Sequence, residues 1–222
     1  MTDASIAEAY DARAAEYTAL LGSIEQMDAA DRRSIEAWRD ATPGTLLDAG
    51  CGPGHWTQLL HDGGRDAVGV DLAAQFVTTA RSRFPDPRFE RADLRDLPFA
   101  DASFDGILAW YSLIHTPPAE LPEILAEFAR VLVPAGSLLI GYFAGIPREP
   151  FSHAVTTAYF WDVEQLGILL DEAGFDAVAH ESRGRAAGEA SARPHGALTA
   201  LRRTDDARDG ARTHARSIRD PA

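Results

Sequence analysis

The sequence predicts an α/β fold in which a mostly parallel sheet carries helices on both faces. Two observations lead to this prediction. From residue 45 onward short apolar runs alternate with amphipathic stretches, and a glycine-rich turn follows the first run. Apolar runs of this kind are typical of parallel strands buried on both faces, with the helices as crossover connections. The last two runs are joined without a helix, so we expect them to be antiparallel.

The expected elements follow one another along the chain. Two N-terminal helices are expected over Ile6–Leu21, which ends at Gly22, and over Ala29–Arg39. Strands are then expected at Thr45–Ala49, Ala67–Asp71, Arg88–Ala92, Phe104–Trp110, Ser137–Phe143, Phe175–Ser182 and Gly196–Arg203. The helices between them are expected at His55–His61, Ala74–Phe84, Pro118–Leu132 and Asp162–Ala173.

These elements fit one domain, because 222 residues lie within the range of a single globular unit. Residues 1–40 are expected to form a helical cap of that domain, and residues 41–203 its ligand-binding part. Residues 204–222 carry few apolar side chains and no periodicity, so a disordered tail is expected there.

Charge and composition exclude several classes of function. The net charge of −13 repels phosphate backbones and anionic lipid headgroups, so nucleic acids and membrane surfaces are not expected partners. All 21 cationic Lys and Arg positions are arginine, which excludes a Schiff-base or P-loop lysine. Cys51 is the sole cysteine, and the acidic N-terminus lacks an apolar signal segment. Both features favour a cytoplasmic protein.

The most informative segment is LLDAGCGPGHW, in which Gly50, Gly52 and Gly54 join an apolar strand to a helix. Glycines at such a turn let the backbone approach a ligand, and the helix N-terminus offers unpaired N–H groups. A dinucleotide-binding fingerprint would need a third glycine at position 55, which is His55. The spacing therefore disfavours a nicotinamide dinucleotide.

Carboxylates stand at or inside three consecutive strands. Asp71 ends the second strand, where a carboxylate can accept the hydroxyls of an adenosine ribose. Asp93 follows the third strand, within reach of an adenine amine. Asp48 lies inside the first strand, where burial requires a hydrogen bond, and we interpret it as an anchor for the loop and, through water, for a ligand amine.

These motifs resemble those of class I S-adenosylmethionine-dependent methyltransferases. LLDAGCGPG is similar to the first motif of that family, VGVD to its second and ADLRDLPF to its third-strand motif. SFDGILAWYSLIH, EFARVLVPAGSLLIGYF and WDVEQLGILLDEAGFDAVAHESR resemble its later strand and helix regions, so the resemblance covers about residues 5–203. WYSLIH and YDARAAEY resemble the small actinobacterial-type members.

The resemblance implies a Rossmann-like fold with six parallel strands and one antiparallel strand. It also implies S-adenosyl-L-methionine as cofactor, released as S-adenosyl-L-homocysteine. The loop would wrap the methionine part of the cofactor. Asp71 would hold the ribose hydroxyls and Asp93 would bond to the adenine amine, and the main chain at Ala109 would receive the cofactor's amino group. The complete set of expected cofactor residues is Asp48, Gly50, Cys51, Gly52, Gly54, Asp71, Leu72, Asp93, Leu94, Ala109 and Trp110.

Methyl transfer from a sulfonium is an in-line displacement, so the protein aligns the acceptor, excludes water and removes a proton where needed. No metal is expected, since the histidines lack H-x-x-x-H spacing. His115, after the fourth strand, is a candidate base or, alternatively, a structural residue before the next helix. Tyr17 is a second catalytic candidate, because Tyr10 and Tyr17 share one helix face; a packing stripe is the alternative.

The acceptor pocket is expected among aromatic residues. Tyr111 lies at the end of the fourth strand, and it lines the pocket or belongs to the core. The stretch Gly141–Trp161 is long and aromatic, typical of a functional lid, and supplies His153 and Trp161. The expected substrate pocket is Tyr10, Tyr111, His153 and Trp161.

The sequence therefore predicts methyl transfer to an oxygen, nitrogen or carbon atom of a small molecule. The alternatives are an S-adenosylmethionine-binding protein with a different reaction, such as a cyclisation or hydrolysis, and a regulator that binds the cofactor without turnover. The acceptor and the oligomeric state are left open.

Overall fold

The computed structural model describes residues 3–184 and 193–204, with side chains from Glu8 onward. The tail expected over residues 204–222 lies, apart from Thr204, outside the described residues. The helices are α1 (Asp3–Leu21), α2 (Ala29–Ala41), α3 (His55–Asp62), α4 (Ala74–Arg83), α5 (Leu121–Val131) and α6 (Val163–Glu172). The strands are β1 (Thr45–Ala49), β2 (Asp66–Asp71), β3 (Arg88–Arg91), β4 (Phe104–Trp110), β5 (Leu132–Phe143), β6 (Pro150–Ser152), β7 (Thr157–Tyr159), β8 (Phe175–Arg183) and β9 (His195–Arg202).

Seven strands form one sheet in the order β3-β2-β1-β4-β5-β9-β8. The pairs from β3 to β5 are parallel, whereas β9 runs antiparallel to both β5 and β8. Six strands therefore share one direction and β9 opposes them, which confirms the predicted mostly parallel sheet. None of the helices in the described ranges is long and apolar enough to span a bilayer.

Alternate residues of the central strands enter two separate cores. Leu47 and Ile107 join α5 and α6 in a cluster on one face, and Leu46 and Leu108 join α2 and α3 on the other. This alternation is what a strand buried on both faces requires. Each fully buried leucine stabilises the fold by about 1.5–3 kcal/mol, so the strand positions are held firmly under the ligand-binding edge.

Local signals explain where several helices begin. The carboxylate of Asp28 accepts a hydrogen bond from the amide of Ala30, 2.7 Å away, at the start of α2. The carboxylate of Asp162 accepts one from the amide of Gln165, 2.8 Å away, at the start of α6. Side-chain caps of this type replace the hydrogen bonds that the first turn of a helix lacks.

Three elements differ from the sequence-based expectations. Helix α5 begins at Leu121 instead of residue 118, because the amide of Glu120 bonds to the carbonyl of Pro117 in a turn. Strand β5 begins at Leu132 instead of residue 137 and contains an irregular register opposite β4. The stretch after β5 holds an antiparallel hairpin, β6–β7, whose strands of three residues were too short for the sequence pattern to indicate.

Candidate functional site

A cavity of about 950 Å³ lies at the carboxyl ends of β1, β2 and β4. This edge is where open α/β sheets bind ligands. Most residues singled out in the sequence line this one cavity. They are Tyr10, Tyr17, Gly50, Cys51, Gly52, Asp71, Leu72, Asp93, Leu94, Trp110, Tyr111, His115 and His153.

The loop between β1 and α3 presents bare backbone to the cavity. Gly52 has a φ of +51°, and a Cβ added there would meet no atom within 4 Å. Gly50 has a φ of +79°, and an added Cβ would lie 2.3 Å from the Cβ of Ser112. Gly50 is therefore needed for packing against the segment after β4, whereas Gly52 leaves open space for a ligand.

Gly54 packs against other elements of the fold, whereas a contact with the cofactor was expected. It does not line the cavity, because a Cβ at this position would lie 2.8 Å from the Cβ of Ala80 and 3.0 Å from the ring of Phe89. Its φ of +90° turns the chain into α3. Gly54 therefore permits the close packing of α3 on α4 and β3, which gives no support to its assignment as a cofactor contact.

Asp71 faces the cavity at the end of β2. Its carboxylate accepts hydrogen bonds from the amides of Gly52, at 2.9 Å, and Ala73, at 2.8 Å. Burial raises the pKa of Asp71 to about 6, although the backbone hydrogen bonds oppose this shift. The carboxylate thus ties the glycine loop to β2 and remains ionised at neutral pH.

Asp48 lies beneath the loop and does not line the cavity. Its carboxylate is 1% exposed and accepts a hydrogen bond from the hydroxyl of Thr57, 2.6 Å away. Burial raises the pKa of Asp48 to about 7. The interpretation of Asp48 as an anchor agrees with this placement, because it joins β1 to α3. Its placement gives no support to contact with a ligand amine.

Two further expected site residues lie in the core. The side chain of Ala109 is fully buried inside β4 among residues of α5 and α6, and the expected contact of its main chain with the cofactor amino group stays a prediction. Trp161 is 2% exposed and belongs to the same core. Trp161 does not line the cavity, so its expected place in the substrate pocket is wrong.

Asp93 and its neighbour Leu94 line the cavity beyond β3. The carboxylate of Asp93 accepts a hydrogen bond from the amide of Arg95, 2.9 Å away. The guanidinium of Arg95 lies 3.2 Å from the carboxylate of Glu120, which fixes the turn that carries Asp93.

Helix α1 lies across the cavity and is held at both sides. The carboxylate of Asp11 accepts a hydrogen bond from the amide of Gln75 at the start of α4, 2.9 Å away. On the other side, the guanidinium of Arg13 donates to the carbonyl of Ala154, between β6 and β7. The helix therefore connects α4 to the β6–β7 hairpin over the cavity.

The two tyrosines of α1 pack on Phe76 of α4. The ring centroids of Tyr10 and Tyr17 lie 5.6 and 5.3 Å from that of Phe76. Burial raises the pKa of Tyr17 to about 12 and that of Tyr10 well above its usual value. Both phenols are therefore protonated at neutral pH, which disfavours either of them as a base, and the catalytic role expected of Tyr17 stays a prediction.

His115 has one occupied and one open ring nitrogen. Its Nδ1 lies 2.7 Å from the carbonyl oxygen of Thr157 in β7, so Nδ1 carries the proton and donates it. Its Nε2 is buried and has no hydrogen-bond partner among the described residues. Burial lowers the pKa of His115, which keeps the imidazole neutral at pH 7. The cavity wall thus contains a buried nitrogen with a free lone pair.

Other cavity residues were not assigned from the sequence. His195 of β9 lies 2.5 Å, through Nδ1, from the hydroxyl of Tyr111, and no local pattern joins positions so far apart. His55 lines the cavity directly after the glycine loop, with both ring nitrogens unpartnered among the described residues. Burial lowers its pKa to about 4. The only available signal for His55 was its position next to the loop.

Cys51 is buried, and burial raises the pKa of its thiol well above the usual value. The thiol is therefore protonated, as expected for a small side chain that fills the loop. Within residues 3–184 and 193–204, no group of three or more His, Cys, Asp or Glu side chains is arranged to hold a metal ion.

Comparison with known proteins identifies relatives of this chain. A family described as "Methyltransferase domain" matches residues 46–136. A demethylmenaquinone methyltransferase from Beutenbergia cavernae is 32% identical over 181 residues, which cover 73% of this chain and 75% of that protein. A malonyl-[acyl-carrier protein] O-methyltransferase from Erwinia billingiae is 32% identical over 61% of this chain. The chain spans about half the length of that second relative, 51%.

A solved structure shares the fold over nearly the whole length. The 1,6-didemethyltoxoflavin-N1-methyltransferase of Burkholderia thailandensis, with bound 1,6-didemethyltoxoflavin and S-adenosylhomocysteine, superimposes with a TM-score of 0.72. The alignment covers 92% of each chain at 23% sequence identity. At that identity the similarity shows the fold alone.

Proposed function

Since this chain belongs to the class I S-adenosylmethionine-dependent methyltransferases, we propose that it methylates an oxygen or nitrogen atom of a small molecule. The observation that carries this proposal is the unpartnered, buried Nε2 of His115 in the wall of the cavity into which the glycine loop opens. Oxygen and nitrogen acceptors that carry a proton react faster when a base of this kind removes it.

The residues that line the cavity suit the parts of S-adenosylmethionine. The open backbone at Gly52 leaves room for a ligand where a side chain would intrude. Asp71 would accept the ribose hydroxyls and Asp93 the adenine amine, with Leu72 and Leu94 beside the adenine ring. When bound, S-adenosylmethionine supplies a methyl group on a positively charged sulfur. Loss of a proton is then the only activation that the acceptor requires.

His115 would take that proton at Nε2. The hydrogen bond from Nδ1 to the carbonyl of Thr157 holds the ring in the tautomer whose Nε2 has a free lone pair. The same hydrogen bond stabilises the imidazolium that forms when the proton arrives. A general base in this position contributes about 10²–10⁴-fold to the rate.

Helix α1 would exclude water from the reaction. Its two attachments, Asp11 to Gln75 and Arg13 to Ala154, hold Tyr10 and Tyr17 over the cavity. Exclusion of water strengthens electrostatic interactions inside a site and prevents hydrolysis of an activated donor. We place the reaction in the cytoplasm, which the reduced, buried thiol of Cys51 supports.

The test measures S-adenosylhomocysteine and methylated product by mass spectrometry after incubation with S-adenosylmethionine and a panel of phenols, alcohols and ring nitrogen compounds. We expect the two products in equal amounts and only when an acceptor is present. The His115→Gln variant should be slower by about 10²–10⁴-fold. His180→Gln is the matched control, because His180 is exposed on β8 away from the cavity.

Binding of S-adenosylhomocysteine without product formation from any acceptor in the panel would contradict the proposal and favour a different reaction or a regulatory role. Full turnover by folded His115→Gln would remove the histidine from the mechanism. Preferential binding of NADH would overturn the cofactor assignment.

A further inference from the structure

Six rings form a continuous aromatic wall along the acceptor side of the cavity. The aromatic wall consists of Tyr10, His115, His153, Phe143, Tyr111 and His195, all of which line the cavity. In that order, the successive ring centroids lie 5.6, 5.1, 5.9, 5.0 and 5.6 Å apart. Each ring is thus in contact range of the next, so the wall presents aromatic surface over its whole length.

The wall is assembled by the fold and not by a local motif. Tyr10 comes from α1, Tyr111 and His115 from the segment after β4, and Phe143 from the end of β5. The other two rings come from the β6–β7 turn and from the start of β9. A ligand that enters between these elements meets an unbroken series of rings on this side of the cavity.

Two histidines of the wall, His115 and His153, carry neutral rings. Burial lowers the pKa of His153 to about 4 and also lowers that of His115, so neither ring is charged at pH 7. Nε2 of His115 and Nδ1 of His153 have no partner among the described residues. The hydrogen-bonded tautomer of His115 makes its Nε2 an acceptor, which calls for an O–H or N–H donor on the ligand.

We propose that the acceptor is a planar aromatic molecule bearing an O–H or N–H group, packed against the aromatic wall with that group at Nε2 of His115. This inference rests on the proposed function, because it identifies the substrate class of the same site. Aromatic rings favour stacked or edge-to-face neighbours beyond the gain from buried area, so a flat ring is selected over a saturated ring of equal size.

The test compares two probes with one carbon skeleton. Binding of 2-naphthol and of its saturated analogue decahydro-2-naphthol to the protein loaded with S-adenosylhomocysteine is measured by isothermal titration calorimetry. We expect 2-naphthol to bind at least about tenfold more tightly, since both probes carry the hydroxyl and only one carries aromatic rings.

Two variants separate the wall from general packing. Phe143→Leu should reduce the preference for 2-naphthol to less than about threefold, because it removes the central ring of the wall. Phe151→Leu is the matched control: the Phe151 ring lies 5.6 Å from that of Phe143 in the same cluster but does not line the cavity. This control should keep the full preference.

Equal affinity for the two probes, or no binding of either to the loaded protein, would overturn the substrate class while leaving the proposed function intact. An unchanged preference in Phe143→Leu would show that the wall does not select the ligand. Failure to bind S-adenosylhomocysteine, by contrast, would count against the proposed function itself, so the two failures are distinguishable.

Discussion

Replacement of Gly52 by alanine separates backbone strain from ligand exclusion. An added Cβ at Gly52 would meet no atom within 4 Å, so the folded protein carries no steric clash. The remaining cost is the left-handed backbone, with a φ of +51°, which disfavours alanine by about 1–2 kcal/mol. The free space is the space that we assign to S-adenosylmethionine, so Gly52→Ala should weaken binding of S-adenosylhomocysteine by at least about tenfold, or 1.4 kcal/mol.

Gly64 supplies the matched control for this experiment. It has a φ of +79°, and an added Cβ there also meets no atom within 4 Å, but it lies in the turn after α3 and does not line the cavity. Gly64→Ala should therefore cost about the same 1–2 kcal/mol of stability in urea unfolding and leave affinity unchanged in calorimetry. Wild-type affinity in Gly52→Ala, or an equal loss of affinity in Gly64→Ala, would refute the reasoning.

Three other predictions concern ionisable groups. Asp71→Ala should weaken binding of S-adenosylhomocysteine by about 1.5–3 kcal/mol in calorimetry, and wild-type affinity should fall as the pH drops through about 6, where this carboxylate becomes protonated. Because only neutral His115 accepts a proton and burial lowers its pKa, the acidic decline of turnover in a pH–rate profile should have its midpoint below 6.5, the ordinary value of a histidine. The folded-state pKa of Asp48 rises from 3.8 to about 7, so its ionisation destabilises the fold as the pH rises through this range. At 1.36 kcal/mol per pKa unit, the free energy of unfolding of Asp48→Asn, measured in urea, should rise by up to about 4 kcal/mol relative to that of the wild type between pH 4 and pH 8. A difference between the two proteins that does not change with pH would contradict this.

The strands and the glycine loop were predictable because their signals are local. The apolar run before Gly50 lies directly next to the turn, and Asp71 directly ends the next apolar run, 19 residues after Gly52. The same local signals misplaced Trp161, because an aromatic residue in a long connection fits a core as well as a pocket, and only the burial of its ring among α5 and α6 residues decides between them.

Long-range contacts could not be predicted from the sequence. The bond between Tyr111 and His195 joins residues 84 positions apart, and the bond between Arg13 and Ala154 joins residues 141 positions apart. Neither pair has a spacing rule, since both depend on how the sheet brings its strand ends together. The tautomer of His115 likewise depends on the carbonyl of Thr157 in the β6–β7 hairpin, which the sequence pattern did not predict.

The β6–β7 hairpin links two properties that evolution would otherwise adjust separately. Its turn supplies the ring of His153, whereas its second strand supplies the carbonyl of Thr157 that orients His115. An insertion in this hairpin would thus alter both the wall of the cavity and the orientation of the proposed base at once. A point change at His153 would alter the wall alone, because it leaves the main chain at Thr157 in place.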